Sequence, residues 1–211
     1  MSKSPHGFSA FVYLASQSPR RAQLLKQLGV AHRVLLPDDA AAAEALEAEQ
    51  PHELPANYVQ RITALKLRGA VQWLAARGLQ PAPVLCADTT VALGRRILGK
   101  PRDAADAAAT LTALSGRTHR VLTAVAVHDG GRTHRALNVS HVRFATLPQP
   151  VIAAYIASGE PFGKAGAYAI QGALAGWIES IEGSHSGIMG LPLFETAQLL
   201  QRSGVALSLR S

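Results

Sequence analysis

Cysteine is all but missing: Cys86 is the only one in 211 residues. A single thiol excludes an internal disulfide and any zinc site built on several cysteines. Cys86 sits inside the apolar run Val84-Leu85-Cys86-Ala87, which casts it as core filler rather than nucleophile. None of the eight histidines stands at metal-ligand spacing from another, so a histidine-built zinc site is not expected. The dinucleotide fingerprint GxGxxG is absent. No apolar stretch approaches the roughly 20 residues of a membrane helix. Met1 to Ser9 is short and polar, and no hydrophobic signal core follows it. These absences lead us to expect a cytoplasmic protein with no membrane partner and a flexible segment over residues 1–9. Neither a repeat nor a linker interrupts the chain, so residues 1–211 read as one domain.

Acidic residues are also scarce. Asp and Glu number 14 against 21 Lys and Arg, for a net charge of +7. That balance favours an anionic partner: a nucleotide, another phosphorylated molecule, or nucleic acid. The cations are scattered and aromatics make up only 5% of the chain. A nucleic-acid groove usually needs denser charge and aromatic interleaving, whereas a small polyanion needs only a few converging cations.

The richest stretch is PVLCADTTVALGRRILGKP, Pro83 to Pro101. Its apolar run has the length of a strand buried on both faces. The run meets a carboxylate, Asp88, then two hydroxyls, Thr89 and Thr90. Ligands in open α/β sheets bind at the carboxyl ends of strands, so Asp88 is expected there. Val91 to Leu93 and Ile97-Leu98 flank Gly94-Arg95-Arg96 and read as a hairpin. The hairpin would fold Lys100 back toward Asp88. An acid holding a divalent metal and an amine on phosphate oxygens suit phosphate chemistry. Gly94 to Lys100 also matches the first part of a P-loop, but Pro101 replaces the Ser or Thr that would hold magnesium. Gly183 to Gly187 resembles a nucleophile elbow, yet its centre is His185.

Upstream, Phe11 to Leu14 reads as a strand, followed by a helix capped by Ser18 with Pro19 at its first position. Arg20 and Arg21 then oppose the helix dipole. They make sense with an anion at the turn, addressed by N–H groups, hydroxyls and guanidiniums. His32 to Leu36 reads as a strand, and Pro37 to Gln50 as an alanine-rich, acidic loop or short helix. Pro55 opens a long helix to Arg77 with Val59, Ile62, Leu65 and Val71 on one face; it carries Lys66. Further helices are expected from Asp103 to Ser115, after Pro148 and after Pro192. Strands are expected over Thr118 to Val127, from Gly131 to near Phe144, over Trp177 to Ile181 and over Val205 to Leu209. Gly159 to Gly172, GEPFGKAGAYAIQG, is a shaped loop presenting Glu160, Lys164 and Gln171. An amide such as Gln171 both donates and accepts, as reading a base edge requires.

Six stretches, in order, resemble the Maf family of nucleotide pyrophosphatases: LASQSPRRAQLL, ADTTV, LGKP, LSGRTHRVLTAVAV, GEPFGKAGAYAIQG and GLPLFETAQLL. The resemblance implies an α/β fold, a single compact domain with a mixed, curved sheet flanked by helices, similar to inosine triphosphatase folds, with the substrate cleft at strand ends. It implies Asp88 as the acid that activates water and helps hold a divalent cation, magnesium or manganese. It implies Lys66 and Lys100 on the triphosphate, Ser16, Arg20 and Arg21 in the phosphate turn, and Lys164 as a further substrate contact. A second metal acid falls eleven residues before Tyr58, at Glu47, with Glu44 as the alternative because this chain carries an insertion after Pro37. AYAIQG is similar to the branch acting on dTTP and UTP, in which Arg20, Thr89 and Gln171 are tied to substrate choice. The implied activity is hydrolysis to the monophosphate and pyrophosphate, clearing non-standard nucleotides, by a homodimer with no stable nucleic-acid partner. The alternatives are 7-methyl-GTP as substrate, or a nucleic-acid-binding regulator of cell division. Gly163 departs from the pattern, since an aspartate commonly precedes the lysine there.

Overall fold

Local sequence sets the first turn of structure. Ser18 caps a helix by accepting from the Arg21 N–H, and Pro19 occupies the first helical turn. The structure, a computed structural model, describes residues 9–38 and 48–208. Strand β1 (Val12–Leu14) leads into α1 (Pro19–Gln27) and β2 (His32–Val34). Helix α2 (Pro55–Ala76) precedes the hairpin β3 (Val84–Leu93) and β4 (Arg96–Leu98). Then come α3 (Ala104–Leu114), the long strands β5 (Thr118–His128) and β6 (Thr133–Phe144), and α4 (Gln149–Ala157). Strand β7 (Ile178–Glu182), α5 (His185–Met189) and α6 (Leu193–Arg202) finish the chain, with two 3-10 turns between α4 and β7.

The seven strands form one mixed sheet in the order β2-β1-β3-β5-β6-β7, with β4 added to β3. Strand β1 runs parallel to β2 and β3, and the other pairings are antiparallel. Helix α2 covers one face through Val59, Ile62, Leu67 and Ala70. Leu65 and Val71, expected on that face, are only half buried, because the contact stripe turns with the 3.6-residue period. The opposite face carries two apolar clusters. One is built by α1 and α6 on Leu85, Ala87, Val125 and Val127. The other is built by α3 and α4 around Val91, Val121 and Phe144.

One expectation is corrected. Asp88 does not end its strand: β3 runs on to Leu93 and pairs with β5 from Val84 to Ala92. The cleft therefore lies past the ends of β1 and β2 but against the middle of β3. Its origin is a gap in the sheet. Strand β1 pairs with Val84 and Leu85, and β4 pairs from Val91 onward, both along the β3 edge that β5 does not occupy. Among the described residues no strand covers that edge from Cys86 to Thr90. The Leu85 carbonyl accepts from Ala15 on this edge, so by strand alternation Ala87 and Thr89 direct their main-chain groups into the gap.

Smaller differences are local. The strand expected to Leu36 ends at Val34. Val205 makes only an isolated bridge with Ser9, and Leu209 lies outside the described residues. Helix α5 was not foreseen: five residues are too few to show a period, although Ser184 caps it through the Gly187 N–H.

Candidate active site

The gap opens into a cavity of about 700 Å³. Because neighbouring residues of a strand point to opposite faces, Asp88 and Thr89 reach it from different sides of the sheet, around the uncovered edge. Asp88 shares its face with Cys86 and Ala92, which pack under α2. Ile62 and Lys66 stand one turn apart on α2, so the amine is carried over β3. Lys66 Nζ donates to Asp88 Oδ1 at 2.6 Å, with both side chains mostly shielded. Lys100 also lines the cavity. The Val91↔Leu98 register folds it back level with Thr89, and Gly99 is pinned by the Gly166 N–H on its carbonyl.

The two adjacent arginines do different things. Arg21 is committed to the protein: Nε donates to the Gly190 carbonyl at 2.8 Å, Nη1 to Ser16 Oγ at 3.1 Å, and Nη2 to Thr89 Oγ1 at 3.4 Å. Ser16 also accepts from the Ser18 N–H. Arg21 thus ties the turn after β1 to β3 and to the end of α5. Among the described residues no hydrogen bond or ion pair holds Arg20, which lines the cavity near Lys164. Lys164 is held below the ordinary lysine pKa by burial and then by the Arg20 charge, with Glu160 acting in the opposite direction.

Glu160 ties both ends of the Gly159 to Gly172 loop together. Its carboxylate accepts from Tyr155 Oη at 3.1 Å and from the Ala173 N–H at 3.2 Å, and its carbonyl accepts from Lys164 Nζ. Gly172 sits against this carboxylate: a Cβ there would stand 1.7 Å from Glu160 Oε1, so the carboxylate would have to shift. Beneath the loop, Tyr168 lines the cavity and its hydroxyl meets Nε2 of buried His119 at 2.7 Å. Burial lowers the His119 pKa to about 4, so the ring is neutral at physiological pH.

Of the residues expected from the sequence, Ser16, Arg20, Arg21, Lys66, Asp88, Thr89, Lys100 and Lys164 all line this one cavity. Gln171 does not. It is exposed, next to the lining Ile170. Glu47 and Glu44 lie outside the described residues. Cys86 is buried and its thiol is pushed up to about 12 by burial, which agrees with core filler. Sequence reasoning missed Thr123, fully buried and paired with Thr89 across β3 and β5. The signal was present: Thr123 interrupts the inward-facing stripe Val121, Val125, Val127.

Asp88 is the one carboxylate lining the cavity among the described residues. No group of three or more His, Cys, Asp or Glu is placed to hold a metal there, again among the described residues. That donor set fits a magnesium-type ion, which takes one or two carboxylates, substrate phosphates and several waters. It does not suit a metal needing a cage of nitrogen or sulfur ligands. No helix among the described residues is long and apolar enough to cross a membrane.

Known proteins resemble this chain over nearly its whole length. The chain is 61% identical over 196 residues to a dTTP/UTP pyrophosphatase of Albidiferax ferrireducens, covering 93% of this chain and 98% of that protein. It is 58% identical over 197 residues to the dTTP/UTP pyrophosphatase of Cupriavidus metallidurans, with the same coverage. It is 60% identical over 195 residues to that of a Polaromonas species, covering 92% of this chain and 96% of that protein. The family model described as Maf-like protein matches residues 11–203. With nearly the whole chain matched, and each of its six motifs contributing at least one residue to the cavity, this protein belongs to the Maf family.

Proposed function

We propose that this protein hydrolyses dTTP and UTP to the monophosphate and pyrophosphate. The observation that carries the reading is the charge of the cavity: five cations, Arg20, Arg21, Lys66, Lys100 and Lys164, surround one carboxylate, Asp88. The Arg20 charge disfavours a charged Lys164, and a bound anion relieves that repulsion. A nucleoside triphosphate brings about four negative charges, and phosphoryl transfer depends chiefly on positioning and neutralising them. The names of the relatives specify the nucleotides.

In this mechanism a water attacks the α-phosphorus, and the bond between that phosphorus and the α–β bridging oxygen breaks. Asp88, hydrogen-bonded to Lys66, takes the proton of the attacking water. Arg20, Lys100 and Lys164 offset the charge of the departing pyrophosphate. Arg21 holds Ser16 and Thr89 in place. Thr89 faces the base. Asp88, with Glu47, would hold a magnesium or manganese ion, which polarises phosphate and lowers the pKa of a bound water. A cytoplasmic location, a homodimeric state and a role in clearing non-standard nucleotides go with this reading.

The test is kcat/KM for dTTP, UTP, CTP, modified pyrimidine triphosphates and 7-methyl-GTP, by pyrophosphate release, with magnesium and then manganese. Turnover of dTTP and UTP above the others supports the reading. Preference for 7-methyl-GTP, or salt-dependent DNA binding without hydrolysis, overturns it.

A further inference from the structure

Thr123 is fully buried between the two apolar clusters, in a stripe where valine would pack as well. Its hydroxyl lies 2.8 Å from the Gly187 carbonyl and 2.9 Å from Thr89 Oγ1. A carbonyl only accepts, so the single Thr123 proton is spent on Gly187. Thr89 must then donate its own proton to Thr123. Arg21 Nη2 occupies one remaining acceptor direction of Thr89, at 3.4 Å. Thr89 is left with a lone pair for the cavity and no proton.

We propose that Thr123 fixes Thr89 as an acceptor and thereby makes the site select a ligand N–H, the imide N3–H of uracil and thymine. The inference rests on the pyrimidine triphosphate reading above and deepens it. A phosphate or carbonyl oxygen gains nothing from a hydroxyl that cannot donate. Cytosine presents a lone pair at N3 and meets the Thr89 lone pair head on. Neither residue could impose this alone, because a free threonine hydroxyl rotates to suit either partner. The chain Thr89 to Thr123 to Gly187 removes that freedom. It is anchored at Gly187, where the backbone is crowded: a Cβ there would stand 2.6 Å from Asn138 Oδ1.

The experiment compares UTP, CTP and 3-methyluridine triphosphate on the wild-type protein and on Thr123→Val and Thr123→Ser. A site built around a substrate N–H rejects analogues lacking it strongly. Wild type should therefore favour UTP over both analogues by about 100-fold or more. Thr123→Val frees the Thr89 hydroxyl to donate, so the UTP/CTP ratio should fall about tenfold or more, with CTP gaining. Thr123→Ser restores the chain and should keep the wild-type ratio. If Thr123→Val lowers both substrates equally, the role is structural and the inference is overturned. Should that variant fail to fold, 3-methyluridine triphosphate on wild type decides: turnover equal to UTP overturns the inference, and rejection supports it. A ribose contact gives no discrimination, since all three share the sugar. A wild type that favours UTP with an unchanged ratio in Thr123→Val overturns the Thr123 inference alone, whereas no hydrolysis of any triphosphate overturns the pyrophosphatase reading with it.

Discussion

Replacing Arg21 by lysine should unfold this protein more easily, while the same change at Arg20 should not. In Arg21→Lys the positive charge stays and the fork is lost. Arg21 makes two good hydrogen bonds, to Gly190 at 2.8 Å and Ser16 at 3.1 Å, and a long one to Thr89 at 3.4 Å. Lysine offers one terminal nitrogen and no Nε–H, so it keeps one of them. Losing a bond from an ionised donor to a half-buried carbonyl, plus the long contact, costs about 2–4 kcal/mol. In a domain of this size each kcal/mol moves Tm by about 2–4 °C, so the fall should be about 5–15 °C. Arg20 has no such partners among the described residues. Arg20→Lys should leave Tm within about 2 °C, because surface changes without partners stay near neutral, while raising KM for the triphosphate. Calorimetry and steady-state kinetics on the two variants make the comparison. Equal Tm shifts, or a larger loss for Arg20→Lys, would refute the division of labour.

Other expectations follow from the same geometry. Asp88→Asn should lose about 100-fold or more in turnover, the share of a positioned base, while keeping its fold; near-normal hydrolysis by the folded variant defeats the mechanism. The His119 pKa is lowered to about 4 from 6.5 by burial, so below pH 6.5 the unfolded chain binds the proton first and stability falls, by about 3 kcal/mol on reaching pH 4. His119→Gln should flatten that part of the urea-midpoint profile against pH. Lys164 also titrates below the ordinary lysine value of 10.5. Below its lowered pKa the charged group weakens the fold, and stability rises as pH passes through that pKa toward 10.5. Pyrophosphate restores the proton, so binding in that alkaline window should take up protons, visible by calorimetry in buffers of different ionisation heat; proton release would contradict it. Gly166→Ala should destabilise by about 2 kcal/mol or more through overpacking and strain, since φ is +69° and the new Cβ would meet Val91 at 2.8 Å.

The sequence by itself determined most of the local elements and named eight residues that line one cavity. Ser18-Pro19 and Asp103 mark helix starts with their own side chains, and both cap as expected. Gly94-Arg95 sets a hairpin that returns Lys100 to the cavity. Each of those signals lies within a few residues of what it controls, which is why it can be read from order alone. Only the tertiary structure decided that Asp88 sits mid-strand beside a break in the sheet, that Lys66 bonds it, and that Arg21 is tied to the scaffold while Arg20 has no such bonds among the described residues. It also placed Gln171 outside the cavity and Thr123 behind Thr89. These depend on hydrogen-bond partners dozens to more than a hundred residues away. A side chain's chemistry is written in the sequence, but the donor or acceptor that spends it arrives only when the sheet and its helices close.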